Sequence, residues 1–261
     1  MNGLRSAARF LAGAWWLQMK QITTGRLYAL TAVLQPVLFA TIAFLMFRDA
    51  PQQQSPTSVA LGAGLLGMWA ATLFGSSAAI ARQRSMGTLE GLVASPMPLI
   101  LVILPITVAS ASLGIYSLLA TFGWGALFFG VPLTISHPVL FAVSVAVTVL
   151  TLGLLGVLVS AAFILYPAAN ALSNAIEFPI AMLSGVIVPV SSLPAAVRPL
   201  SYLLAPMWGV RAVRSAVLGG APVAEPLLVC TALSLCYLAL AAVLLQVLVN
   251  RARDRARLAL T

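Results

Sequence analysis

The polar residues between positions 81 and 99 suit binding to a soluble protein better than catalysis. Thr88 can cap the start of a helix, and Glu90 favours the positive end of that helix. The apolar residues that follow would form a ridge on it, and a proline would stop it before the next apolar run. We therefore predict a docking surface for a soluble partner in this loop, with a solvated loop as the alternative. Its candidate residues are Arg84, Gly87, Thr88, Leu89, Glu90, Leu92, Val93 and Pro96.

Chemistry inside the apolar runs depends on Glu177, the only one of five acids that falls within such a run. An ionised carboxylate near the middle of a bilayer costs about 2.5–3.5 kcal/mol on insertion scales. Glu177 therefore lines a polar interior, pairs with another group or sits near the interface, and these alternatives stay open. Lys20 is the only lysine and follows no phosphate-binding glycine loop, and His137 is the only histidine. We expect no nucleotide, metal or catalytic site in this chain.

The low polar content of the chain is typical of an integral membrane protein. Of 261 residues, 61% are apolar and 7% are charged, whereas soluble domains carry about 25% charged residues. A spanning helix needs about 20 apolar residues, so we predict an all-α membrane protein with six transmembrane helices. The predicted spans are Leu27–Phe47, Val59–Ala81, Leu99–Phe122, Val139–Leu165, Ala171–Val190 and Leu227–Val249.

The net charge of +9 comes mostly from basic residues that flank the apolar runs. This placement favours membrane lipid over nucleic acid as their partner. Ten of the basic residues fall on one side of the predicted topology and four on the other. Because basic loops stay inside, we expect both termini in the cytoplasm and a multi-pass protein of the plasma membrane.

We predict a single transmembrane domain over residues 1–261. Residues 1–26 contain an interfacial amphipathic helix, because basic and apolar side chains within 3–20 fall on neighbouring arcs of a helix. Residues 27–81 form spans one and two, 82–98 the docking loop and 99–190 spans three to five. Residues 191–226 form an outer segment, 227–249 span six, and 250–261 a basic cytoplasmic tail.

Small residues repeat at every fourth position of span two. Gly67, Ala71, Gly75 and Ala79 lie on one helix face, where they let helix backbones approach closely in lipid. We predict that this face packs within the chain, with a subunit interface as the alternative.

The outer segment Ser191–Pro226 is too long for a turn and too apolar for a solvated loop. Pro194, Pro199, Pro206 and Pro222 interrupt it, and Gly219-Gly220 ends a candidate helix. It also contains the amphipathic group Tyr202, Trp208, Arg211 and Arg214. Irregular backbone at membrane depth must be buried in protein or line a cavity. We therefore predict short re-entrant-like helices that cap the outer side of the bundle.

The run Arg84-Ser85-Met86-Gly87-Thr88-Leu89-Glu90-Gly91-Leu92-Val93-Ala94-Ser95-Pro96 resembles the cytoplasmic motif of type-2 ATP-binding-cassette (ABC) exporter permeases. The later run Leu183-Ser184-Gly185, Val188-Pro189, Leu193-Pro194, Pro206-Met207-Trp208 and Arg214 resembles the same family. Span number, basic leader and long outer segment extend the resemblance over nearly the whole chain. The family usually has an acid just before the glycine, where this chain has Gln83 and Ser85.

The resemblance implies a permease subunit that does no chemistry itself. The family's coupling helix, which in this chain would be a docking helix in the 82–98 loop, would rest in a groove of a cytoplasmic ABC ATPase subunit. That subunit would be present in two copies and would bind ATP and magnesium. A second permease subunit, identical or paralogous, would complete the pathway. The implied cargo is hydrophobic or amphipathic, drug-like or lipid-like, with a lipid-linked glycan as an alternative. Two other function classes stay open: a secondary transporter that uses Glu177, and a membrane scaffold that transports nothing.

Overall fold

The computed structural model describes residues 9, 12–20, 24, 26–48, 56–85, 87, 99–131, 135–165, 179–186 and 190–258. Within these residues the chain is helical and contains no strand. The helices that begin at Pro56, Pro138 and Ala224 follow a polar or proline-containing break in an apolar run. In chain order the helices are α1 (12–20), α2 (Arg26–Arg48), α3 (Pro56–Ser85), α4 (Leu99–Phe129), α5 (Pro138–Leu165), α6 (179–183), α7 (Arg198–Tyr202), α8 (Ala205–Leu218) and α9 (Ala224–Leu258).

Small residues allow α3 and α4 to approach closely, and α2 and α5 pack around this pair. A Cβ atom at Gly64 would lie 2.6 Å from Leu118 Cδ1, and one at Gly67 would collide with the Ser117 hydroxyl oxygen. From the other side, a Cβ at Gly114 would lie 2.6 Å from Met68 Cγ. Van der Waals contact of this kind holds helices together where lipid removes the hydrophobic driving force.

The small-residue face predicted for span two therefore packs within the chain at its first position. Gly67 is buried against α4, and Ala71 is partly buried on the same face. Gly75 and Ala79 continue α3, but their surroundings fall outside the described side chains.

Many hydroxyl groups in the bundle find partners on their own helices or across helix pairs, whereas those of Ser117, Thr121 and Ser144 are buried without a partner. Thr148 and Ser234 donate to carbonyl oxygens four residues earlier, at 2.6 and 2.7 Å. Between helices, Trp124 Nε1 donates to Thr41 Oγ1 at 3.1 Å, and the Thr151 and Ser234 hydroxyls lie 2.7 Å apart. Such partners make these polar groups compatible with an apolar environment.

Within the described residues, three helices are long and apolar enough to cross a membrane: Leu104–Phe129, Pro138–Leu158 and Ala224–Val247. A shorter apolar stretch covers Leu34–Met46 in α2. Large apolar side chains on the outside of α2 and α9, such as Met46 and Leu228, are each 72% exposed. An all-helical membrane fold is thus confirmed, and the count of six spans stays a prediction.

The predicted fifth span, Ala171–Val190, is wrong at its C-terminal end. Helix α6 ends at residue 183, and Gly185 adopts a left-handed conformation with φ of 72°. The Val186 N–H donates to Ala181 O at 3.3 Å, and the Gly185 N–H donates to Met182 O at 3.1 Å. This pair of bonds is the Schellman ending that a glycine permits. The residues after Gly185 are also apolar, so the hydrophobic run in the sequence continues past the residue where the helix ends.

Helix α1 carries part of the predicted leader helix and contacts the bundle. Trp15 donates its indole N–H to Ser112 Oγ of α4 at 3.2 Å. Arg9 and Lys20 are exposed, and Gln18 is buried. The leader is therefore attached to α4 through a specific hydrogen bond, and its predicted position in the headgroup plane stays a prediction.

Candidate functional site

The predicted docking helix lies almost entirely outside the described residues. Its residues Thr88, Leu89, Glu90, Leu92, Val93 and Pro96 are not described, and neither is the side chain of Arg84. Gly87 is described: it is exposed, follows the end of α3 at Ser85 and has φ of 68°. Glycine adopts this left-handed conformation without the strain that a Cβ atom would add. The chain can thus turn away from α3 just before Thr88.

Glu177, the predicted intramembrane carboxylate, also lies outside the described residues. Its role in a pathway stays a prediction.

The segment between α6 and α9 has a well-defined geometry, and we call residues 190–223 the α7–α8 segment. Its short helices α7 and α8 each have a proline in the first turn, where the missing N–H removes no helical bond. Short helices are therefore present where the sequence predicted them, α8 ends at Gly219 as the glycine pair predicted, and their re-entrant position stays a prediction.

Helix α8 packs between α5 and α9 and reaches deep into the bundle. At its C-terminal end, the Ser136 and His137 N–H groups donate to Val217 O and Ala216 O at 3.2 and 3.0 Å. At its N-terminal end, Ala205 contacts Tyr237, which lies about 20 Å along α9 from Ala224. Helix α7 is mostly exposed and contacts α8 and the turn Val190–Ser192, whereas α8 is packed into the bundle.

Tyr237 holds the turn between α7 and α8. Its hydroxyl accepts a hydrogen bond from the Ala205 N–H at 3.1 Å and donates to Leu203 O at 3.2 Å. The first N–H groups of a helix have no partner within that helix. Tyr237 therefore satisfies one of these N–H groups and the Leu203 carbonyl, at the turn between α7 and α8.

We expect Tyr237→Phe to lower the thermal unfolding temperature of the purified protein in detergent. The change leaves the Ala205 N–H and the Leu203 carbonyl without this partner, at a cost of about 0.5–1.5 kcal/mol, because one of the two bonds is exposed and the other only partly buried. Tyr116→Phe is the matched control, because the Tyr116 side chain is 44% exposed on α4. Equal unfolding temperatures for the two variants would contradict the assignment.

Arg214 joins α8 to the C-terminal end of α6. One guanidinium nitrogen, Nη2, donates to Gly185 O at 3.0 Å and to Val186 O at 3.3 Å. The negative end of the helix dipole also stabilises a cation at this position. Burial lowers the pKa of the Arg214 guanidinium from its ordinary value, and arginine still keeps its proton in proteins.

A cavity of about 440 Å³ lies between α7, α8 and the end of α6. Three arginines line it together with serine, aromatic and apolar side chains. The lining residues are Ser184, Gly185, Val190, Ser191, Arg198, Tyr202, Met207, Val210, Arg211, Arg214 and Ser215. The structure thus brings together three of the four residues that the sequence singled out in the outer segment, and the fourth, Trp208, packs against two of them.

Sequence reasoning missed Tyr237 and the cavity serine Ser184. Tyr237 contacts residues that are far away in the chain. Ser184 lies at a helix end that the apolar pattern did not indicate. A signal was present for Ser184, because Leu183-Ser184-Gly185 ends with the residue type that most often terminates a helix. For Tyr237 the sequence contained no local signal.

Comparisons with known proteins add one finding. The family model for the ABC-2 type transporter matches residues 11–218, which is most of the chain and includes α8 to its last residue. A comparison with curated proteins gave no match.

Proposed function

This chain belongs to the ABC-2 type transporter family and is a permease subunit of such a transporter, and we propose that it exports hydrophobic or amphipathic cargo. The family pairs such a multi-pass membrane subunit with an ATP-binding subunit. The match over residues 11–218 is the observation that carries the proposal.

In this proposal the chain binds no cofactor and is not an enzyme. ATP and magnesium bind to two cytoplasmic ATPase subunits, and two permease subunits, identical or paralogous, form the pathway. The absence of a lysine after a glycine-rich phosphate loop in the full sequence supports this division of roles. With ten basic residues assigned to the inner side, both termini lie in the cytoplasm and the protein spans the plasma membrane.

The chemistry of the described helices supports a drug-like or lipid-like cargo. Most of their hydroxyl groups bond to carbonyls on the same helix, as for Thr148 and Ser234, and the buried exceptions on the described long helices are Ser117, Thr121 and Ser144. A free polar polymer would need a row of unoccupied polar groups along its path. An apolar or amphipathic molecule needs few of them.

The direct test reconstitutes the chain with its ATPase subunit in vesicles and follows a lipophilic dye. We expect dye movement to require ATP hydrolysis and to stop when a nonhydrolysable ATP analogue replaces ATP. Movement by the chain alone, driven by an ion gradient, would contradict the proposal.

We expect Glu177→Gln to keep ATP-driven transport within about twofold of the wild type, because the energy comes from the ATPase subunit and not from a coupling carboxylate. Dye transport and ATPase co-purification are measured together. Glu225→Gln is the control, since Glu225 is an exposed acid in the first turn of α9. Lost transport with intact ATPase binding would favour a secondary transporter that uses Glu177.

A further inference from the structure

The cavity beside α8 concentrates positive charge without a described counter-charge. Arg198, Arg211 and Arg214 all line it. Glu225 is the one acid whose side chain the structure describes, and it is not among the lining residues. In the described part of the chain, the cavity therefore holds three guanidinium groups and no carboxylate.

The partners of these guanidinium groups are neutral. Arg198 donates from Nε to Leu193 O at 2.8 Å and from Nη2 to Ser191 O at 2.7 Å. The guanidinium carbon of Arg211 lies 5.5 Å from the centre of the Trp208 ring. Backbone carbonyls and an aromatic ring orient the arginines but leave their charges available.

Unused hydrogen-bond donors also lie at this cavity. The Nε of Arg214 and the hydroxyl of Ser184 are buried and have no hydrogen-bond partner. Ser184 is fully buried, so its unsatisfied hydroxyl carries a desolvation cost, and a ligand oxygen would reach it only if the wall of the cavity rearranged. Arg211 is exposed and could reach a ligand that enters from outside.

We propose that this cavity binds a phosphoryl group, presented by an anionic lipid headgroup or as free phosphate. A phosphoryl group offers several oxygen acceptors, and the planar fork of arginine matches them with paired hydrogen bonds. A cavity of about 440 Å³ accepts a headgroup, because pockets for small ligands begin near this size.

The surroundings of the cavity suit an amphiphile. Val190, Met207 and Val210 also line it and give it an apolar part. On the outside, Leu200 and Leu203 are 54% and 66% exposed beside Tyr202. Acyl chains could rest on this exposed apolar surface while the phosphoryl group enters the cavity. The site goes beyond the proposed transport function, because it requires neither ATP hydrolysis nor that the bound amphiphile is cargo.

The test titrates the detergent-solubilised permease–ATPase complex, without nucleotide, with three probes. These are dihexanoyl phosphatidylglycerol, dihexanoyl phosphatidylcholine and inorganic phosphate. We expect the anionic lipid to bind at least about tenfold more tightly than the zwitterionic lipid, because the choline cation opposes binding beside three arginines. If inorganic phosphate displaces the anionic lipid, free phosphate can fill the site. If it binds but does not displace the lipid, or does not bind, the lipid headgroup is the ligand.

Arg211→Gln is the decisive variant, since Arg211 is exposed and its loss should leave the fold intact. We expect its affinity for the preferred probe to fall on the order of tenfold. Arg9→Gln is the matched control, because it removes the same charge from an exposed position outside the cavity. Arg211→Lys keeps the charge and should retain part of the affinity.

Two outcomes would overturn the site. One is that neither inorganic phosphate nor the anionic lipid binds better than the zwitterionic lipid. The other is that Arg211→Gln, with an unfolding temperature equal to that of the wild type, binds the probes as well as Arg9→Gln does. Both outcomes leave ATP-driven transport unaffected, so a failure of this site is distinct from a failure of the proposed function.

Discussion

The double substitution Leu89→Asp and Leu92→Asp should abolish co-purification of the ATPase subunit while the permease still inserts into the membrane. Both leucines are assigned to the apolar ridge of the docking helix, and an unpaired carboxylate in an apolar groove costs several kcal/mol. We expect the affinity between the subunits to fall at least about a hundredfold. The measurement is co-purification of an affinity-tagged permease with its ATPase, followed by ATP-driven dye transport.

Leu89→Ile with Leu92→Ile is the matched control, because it changes shape and keeps the ridge apolar. Glu90→Lys should weaken the same association to a smaller degree, since it reverses the charge at the positive end of the helix. Normal co-purification and transport by the double aspartate variant would show that residues 88–96 are not the docking site.

The second large effect concerns the contact between α3 and α4. Gly114→Val should prevent recovery of a folded, monodisperse protein. A Cβ atom at Gly114 would lie 3.0 Å from Met68 O and 3.2 Å from Met68 Cα, besides its contact with Met68 Cγ. Backbone atoms cannot rotate away as a side chain can, so the helices must separate. Overpacking of this kind typically costs about 1–3 kcal/mol and sometimes more.

The control for this prediction is Gly123→Val on the same helix. A Cβ at Gly123 meets no atom within 4 Å. The change in intrinsic helix propensity from glycine to valine is the same at positions 114 and 123. Size-exclusion profiles and thermal unfolding of the two variants separate crowding from helix preference. Similar losses in both would mean that α3 and α4 do not depend on this close approach.

Helix positions were predictable because apolar runs, prolines and glycines act locally. The expected span Val139–Leu165 agrees within one residue with α5 at Pro138–Leu165. Span three was predicted to end at Phe122, and α4 continues to Phe129 because its last turns remain apolar and contain no helix breaker other than glycine. The helix ending at Gly219 followed from a glycine pair.

The geometry of the site was not predictable, because it depends on contacts between distant residues. Arg214 was recognisable as part of an amphipathic helix, but its contacts with Gly185 and Val186 lie 29 and 28 residues away. Tyr237 contacts Leu203 across 34 residues. No periodicity or motif encodes which backbone groups such a side chain will reach once the helices have packed.

The bond from Arg214 to the end of α6 has a mechanical consequence. Because the Arg214 guanidinium belongs to α8 and binds the Gly185 and Val186 carbonyls just beyond the end of α6, a displacement of that helix end would be transmitted to α8. Gly185 and Arg214 both line the arginine cavity, so the wall of the cavity would shift with the end of α6.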